Sequence, residues 1–202
     1  MAISGKLSMT RRYFFAEAGL AVAAPVGWQA LGDSPDQRAS SPPRQGPKSE
    51  IAREVNLPEA ALLNDGEAKT YLLVFHTGQE VVDGLLAFAQ KHTLVAGHLT
   101  GIGAISHAVI GYFDPQKKAY LRTQEKEQAE VLSLTGNLAL YNNEPFFHVH
   151  VALGLRDGSA RGGHLFAATV CPTVELVLTA SSRPVRRTID PETGLPLLVP
   201  PH

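Results

Sequence analysis

Between Phe146 and Leu155 the chain alternates in chemistry with a period of two: Phe147, Val149, Val151, Leu153 and Leu155 fall on one parity, His148 and His150 on the other. A strand sends successive side chains to opposite faces, so this segment has a continuous apolar face and a face carrying two imidazoles. The apolar face has to be covered. The chain must therefore build a sheet with one side against a core, and the second side presents His148 and His150 together.

Fourteen residues after His150, beyond Asp157-Gly158 and Gly162-Gly163, comes His164. A strand returning antiparallel from that turn brings His164 beside the pair. Three imidazoles are the donor set of an open zinc site, in which the fourth position is left to water or substrate. A solvated sheet face, or a subunit contact filled by the histidines, satisfies the same spacing, and both readings stand at this point. His76, His92, His98 and His107 show no comparable spacing, His98 being the best spare ligand among them.

The rest of the globular part reads as strands around one helix. Thr70–Phe75 is short, β-branched and aromatic, the composition of a buried strand. Thr77 and Glu80 have the spacing of a capping box, and Val81, Val82, Leu85, Leu86 and Ala89 form an apolar stripe at helical spacing, predicting a helix to about Lys91. Further strands are expected at 95–99, 106–113, 118–122, 129–140, 146–155, 163–170 and 174–180, separated by Gly, Asp-Pro and Asn pairs. Gly101-Ile102-Gly103-Ala104 reads as a turn between two of them, with no following helix to make it a phosphate loop. The expected fold class is α+β, a single antiparallel sheet of six to seven strands with one packed helix.

Outside that unit the chain changes character. Arg11-Arg12, Phe14-Phe15 and the apolar run to Ala24, followed by small residues, have the order of a twin-arginine-like export signal over residues 1–32. The run is too short for a stable membrane span, which takes roughly 20 apolar residues. Export would place the mature protein in the periplasm or outside the cell; an unused signal would leave it cytoplasmic. Residues 33–68, rich in Pro and polar side chains at their start, read as a flexible linker. With a formal net charge of −1 the chain has no overall positive field to gather nucleic acid. Its single cysteine, Cys171, excludes an internal disulfide and reads as a buried, inert thiol.

Acid–base candidates are sparse. Glu175 alternates against Val174, Leu176 and Leu178 and is a candidate catalytic proton carrier; Glu130 is a poorer one, because Leu132, Leu134 and Leu138 share its parity. Both fit equally well as polar-face residues. Asn137 reads as a turn or bulge residue or as a hydrogen-bond donor to a ligand. No G-x-S-x-G, paired-carboxylate or H-E-x-x-H motif is present.

In order, Gly101-Ile102-Gly103-Ala104, Gly111-Tyr112-Phe113-Asp114, Glu130-Val131-Leu132-Ser133-Leu134-Thr135-Gly136-Asn137, His148-Val149-His150 and Gly162-Gly163-His164-Leu165 resemble the PPC domain, plants and prokaryotes conserved. The resemblance covers residues 69–180, and Arg187–Leu195 within residues 181–202 is similar to the family's C-terminal extension. It implies a stand-alone bacterial type assembled as a homotrimer, with His148, His150 and His164 binding zinc or another divalent metal near a subunit boundary. Plant members follow AT-hooks and mediate protein association, and bacterial members are often labelled DNA-binding. This chain lacks an AT-hook and has one basic cluster, Arg183, Arg186 and Arg187. More distantly, the fold and three-histidine zinc are similar to acetolactate decarboxylase and a related zinc ester hydrolase. The expected function is an exported, trimeric zinc protein with a small-molecule ligand or activity; a DNA-binding protein and a structural oligomerisation module are the alternatives.

Overall fold

In the computed structural model, residues 55–200 are described. The signal-like segment and the first part of the expected linker lie outside them. Nine strands and one helix follow in chain order: β1 (Glu59–Asp65), β2 (Ala68–His76), α1 (Val81–Lys91), β3 (Gly97–Asp114), β4 (Ala119–Glu125), β5 (Ala129–Tyr141), β6 (Glu144–Gly154), β7 (Ala160–Ser181), β8 (Arg186–Ile189) and β9 (Pro196–Val199). The α+β expectation holds, but the sheet is larger than six or seven strands and is not purely antiparallel, because β8 runs parallel to β5 through Leu140 and Arg186. The two ends account for the difference. β1 forms inside the span expected to be linker and pairs with β2, while β8 and β9 make a hairpin of the C-terminal extension.

Two expected breaks are absent because long strands run through them. Gly101–Ala104 is not a turn but the middle of β3, where β7 comes so close that a Cβ on Gly101 would lie 2.3 Å from the Glu175 carbonyl oxygen. Glycine here permits strand contact rather than chain reversal. Likewise β7 continues through Cys171 and Pro172, although proline has no N–H for a ladder. The register jumps from Gly103–Val174 to Ile105–Val170, so residues 171–173 form an irregularity that accommodates Pro172. A further bulge, at Leu132 between the pairs Val131–Leu153 and Ser133–Ala152, changes the parity of β5. Val131 and Leu134 are consequently both buried, while Glu130 and Leu132 are exposed.

The ladders β3–β5, β5–β6, β6–β7 and β7–β3 close a circuit around the apolar interior. Leu99, Ile105, Leu134, Leu138, Leu153, Leu176 and Leu178 are essentially inaccessible there. The helix α1 buries Val81, Leu85 and Phe88 against this assembly, with Phe88 edge-on to Tyr71 at 5.2 Å. Its start differs from the expected capping box. Glu80 itself is the N-cap, its carboxylate accepting from the Asp83 amide at 2.6 Å, while the Thr77 hydroxyl donates to the Pro172 carbonyl. The second Glu80 oxygen accepts from the Ala168 amide at 2.6 Å and ties the helix to β7, so the carboxylate is engaged at both oxygens. Among the described residues no helix is long and apolar enough to cross a membrane.

Candidate metal centre

The β6–β7 ladder begins with His150 opposite His164 and continues through Val151–Gly163. Because His148 lies two residues before His150 on the same strand face, this register collects all three imidazoles at one place. One ligand nitrogen from each of the three falls within 4.8 Å of the others. His148 Nε2 and His150 Nε2 are 3.1 Å apart. The edge of a tetrahedron with zinc–nitrogen bonds of 2.0–2.1 Å is about 3.3 Å, so that pair already has the spacing of two ligands on one ion.

The three side chains differ in setting. His150 is exposed, His148 half-buried and His164 6% exposed. His164 packs between Tyr120 and Phe166, with ring centroids 4.9 and 4.7 Å away, and Arg122 lies over the Phe166 ring. Burial is the main reason that His164 is pushed down to about 3, with His148, His150, Arg122 and Arg187 adding to it. His148 is lowered to about 4, again chiefly by burial, then by Arg187 and His150. Both imidazoles are accordingly neutral at physiological pH, the state that offers a lone pair to a metal. His164 Nδ1 is buried and has no hydrogen-bond partner among the described residues. A metal ion would satisfy that orphaned polarity, and an all-imidazole donor set suits zinc and other imidazole-binding divalent ions. The residues present fit the group that their spacing suggests.

Glycines set the approach of β7 to its neighbours at this point. A Cβ on Gly163 would lie 2.5 Å from the Gly111 carbonyl oxygen, and Gly111 pairs with His164 on β3. A side chain at Gly163 would push the His164 strand away from β3, and one at Gly111 would collide with the Phe166 and Tyr120 rings that hold His164.

Beside the triad lies a small, partly open pocket lined by His148, His164, Tyr120, Phe146 and Arg187, with Leu195, Pro196 and Leu197 from the C-terminal hairpin region. Asn137, opposite His148 on β5, accepts a hydrogen bond from Arg187 Nη2, and Arg187 Nη1 donates to the Pro196 carbonyl at 2.8 Å. Asn137 thus holds an arginine instead of reaching a ligand directly. Of the other candidates, Glu175 is exposed at the far part of β7, paired with Val74 and Ile102, and the fold does not bring it to the imidazoles. Glu130 is exposed opposite Gly154, and His98 is exposed between Asn137 and Thr179. Cys171 is partly buried in the β7 irregularity. Sequence spacing gave no sign of Tyr120 or of Arg187 as pocket residues, since each reaches the triad only through long-range strand pairing.

A family model for the Plants and Prokaryotes Conserved (PCC) domain matches residues 63–182. This chain belongs to the PCC family. Its PCC domain is similar to a metal-containing protein from Archaeoglobus fulgidus, with 36% identity and a TM-score of 0.61 over 72% of this chain and 99% of that one. A PPC protein from Pyrococcus horikoshii matches with 31% identity and a TM-score of 0.62 over 71% and 96%. A protein from Bacteroides thetaiotaomicron, whose name provisionally assigns it to DNA binding, matches with 31% identity and a TM-score of 0.65 over 69% and 96%. Among curated proteins, the bifunctional protein GlmU of Synechococcus sp. (strain JA-3-3Ab) is 32% identical over 135 residues, which are 65% of this chain. The match spans 20% of that protein's length.

Proposed function

We propose that this PCC-domain protein binds zinc or a related divalent ion through His148, His150 and His164, and that the metal faces a small-molecule ligand or substrate. The convergence of three ligand nitrogens within 4.8 Å carries this reading. The metal-containing relative from Archaeoglobus fulgidus supports it. Zinc in such a site supplies a Lewis acid that polarises a carbonyl or lowers the pKa of water. The chain itself contributes orientation and exclusion of water: Tyr120 and Phe166 fix the His164 ring, and Phe146, Leu195 and Leu197 wall the adjoining pocket.

The exported homotrimer belongs to the same proposal. Its support is the signal-like order of residues 1–32 and a set of large apolar side chains left exposed on the sheet, among them Ile102, Leu132, Tyr112 and Leu121. Exposed apolar surface of this kind marks an association face. Metal analysis and sizing of the purified protein test both parts: one metal per chain and a mass of three chains are expected, whereas a metal-free monomer would refute them. The DNA-binding alternative draws on the name of the Bacteroides thetaiotaomicron relative and on Arg183 and Arg186, which are exposed. It requires affinity for duplex DNA that falls steeply with salt.

A further inference from the structure

Arg187 is 6% exposed, yet no carboxylate pairs with it among the described residues. Its five N–H donors make two hydrogen bonds, to Asn137 and Pro196, and its Nε has no partner. The Phe146 ring, 5.1 Å from the guanidinium carbon, softens the burial but supplies no negative charge. Removing a charge from water without a counter-charge is costly, and proteins do so where a ligand completes the pair. Burial alone draws the Arg187 pKa down, with no neighbouring anion acting on it. Arg187 also lines the pocket shared with His148 and His164, whose other walls are Tyr120, Phe146, Leu195, Pro196 and Leu197.

We propose that this pocket takes a small monocarboxylate with a short apolar body, its carboxylate paired with Arg187 and its body lying against Phe146 and Leu197 next to the triad. The inference rests on the metal-centre reading and names the ligand class of that site. With a divalent ion on the three imidazoles the positive charge of the pocket increases further, and an anion becomes the complementary occupant. The apolar lining disfavours a heavily hydrated dianion, which would leave most of its oxygens unpaired. Asn137 and the Pro196 carbonyl act as positioning groups for the guanidinium.

The test titrates butyrate and its neutral isostere butyramide into the full-chain protein by calorimetry, with metal content measured on the same sample. Butyrate is expected to bind at least about tenfold more tightly than butyramide, and Arg187→Gln to abolish that preference while leaving the metal content unchanged. Equal affinity for the two probes, or a preference that survives in Arg187→Gln, overturns the proposal. So does failure of both probes to bind a metal-loaded protein, which would assign the counter-charge of Arg187 to a carboxylate of the protein or of another subunit. Should Arg187→Gln not fold, the butyrate-to-butyramide ratio on the unaltered protein decides alone. Loss of the metal reading has a different signature: a protein without metal that still prefers butyrate through Arg187 keeps the anion pocket and discards the triad as a metal centre.

Discussion

His150 and His164 face each other directly across the β6–β7 ladder, although fourteen positions separate them in the chain. The Asp157-Gly158 turn makes this pairing local: Asp157 accepts from the Ser159 amide at 2.9 Å and hydroxyl at 2.6 Å, and Gly158 adopts a φ of 81°. Register, not sequence proximity, places the third imidazole. A one-residue slip would turn His164 to the opposite face and leave Gly163 or Leu165 in its place.

Metal binding should therefore be coupled to stability. Anything that binds only the folded state stabilises it, by about 2.7 kcal/mol at a free concentration one hundred times the Kd. Thermal unfolding with excess zinc is expected to shift upward by several degrees, to reverse with a chelator, and to show no shift in His164→Ala. An equal shift in that variant would locate the metal elsewhere.

Gly163→Ala should weaken both fold and site. The added Cβ meets the Gly111 carbonyl oxygen at 2.5 Å, and neither backbone can yield without moving the β3–β7 ladder beside His164. A loss of about 1–3 kcal/mol in denaturant unfolding is expected, from overpacking. Metal affinity should fall with it, whereas Gly66→Ala, whose Cβ meets the Asn64 side chain at 3.5 Å in the turn between β1 and β2, should leave the metal in place.

Glu80 gives the fold a pH dependence. Burial raises its carboxyl to about 7, against the lowering effect of the Asp83 and Ala168 amides, from 4.5 as the ordinary value. A raised carboxyl pKa means that the folded state holds the proton more tightly than the unfolded one. Its contribution is greatest below pH 4.5 and is lost as pH rises through about 7. Urea unfolding measured from pH 4.5 to 8 should carry a Glu80 component of about 3 kcal/mol that disappears in Glu80→Gln. In that variant the amide also presents a donor where two backbone N–H groups need acceptors, lowering stability by about 1–2 kcal/mol at every pH. An unaltered pH profile would contradict the role assigned to burial.

Asn137→Leu removes the acceptor that holds Arg187 Nη2. A buried guanidinium deprived of a partner should destabilise the protein by about 1–3 kcal/mol, measured by denaturant unfolding. Asn137→Asp should restore much of that loss by supplying a counter-charge. Rescue by aspartate separates an electrostatic role for Asn137 from a purely steric one.

Much of this arrangement is legible in the chain where the signals are local. The alternation through Phe147–Leu155 predicts both the core face and the shared side of His148 and His150, and the short return path predicts His164 beside them. What local reading misses follows from long-range contact. Gly101 and Gly103 resemble turn residues, but they occur where β3 approaches β7 too closely for a side chain. Pro172 resembles a strand end, but the ladder skips over it. Leu132 shares the parity of Leu134 in the sequence and loses it at a bulge. Thr77 has the spacing of a cap, while the carboxylate three residues later does the capping. Arg187 and Tyr120 come from distant segments whose approach to the triad no spacing rule encodes.

The central claim is best tested by elemental analysis of the purified full chain beside a variant with His148, His150 and His164 all replaced by alanine, each checked for folding by circular dichroism. One divalent metal per chain in the parent and none in a folded variant is the predicted result. A parent that stays metal-free after zinc is supplied and excess removed, or a variant that retains the same stoichiometry, would contradict it.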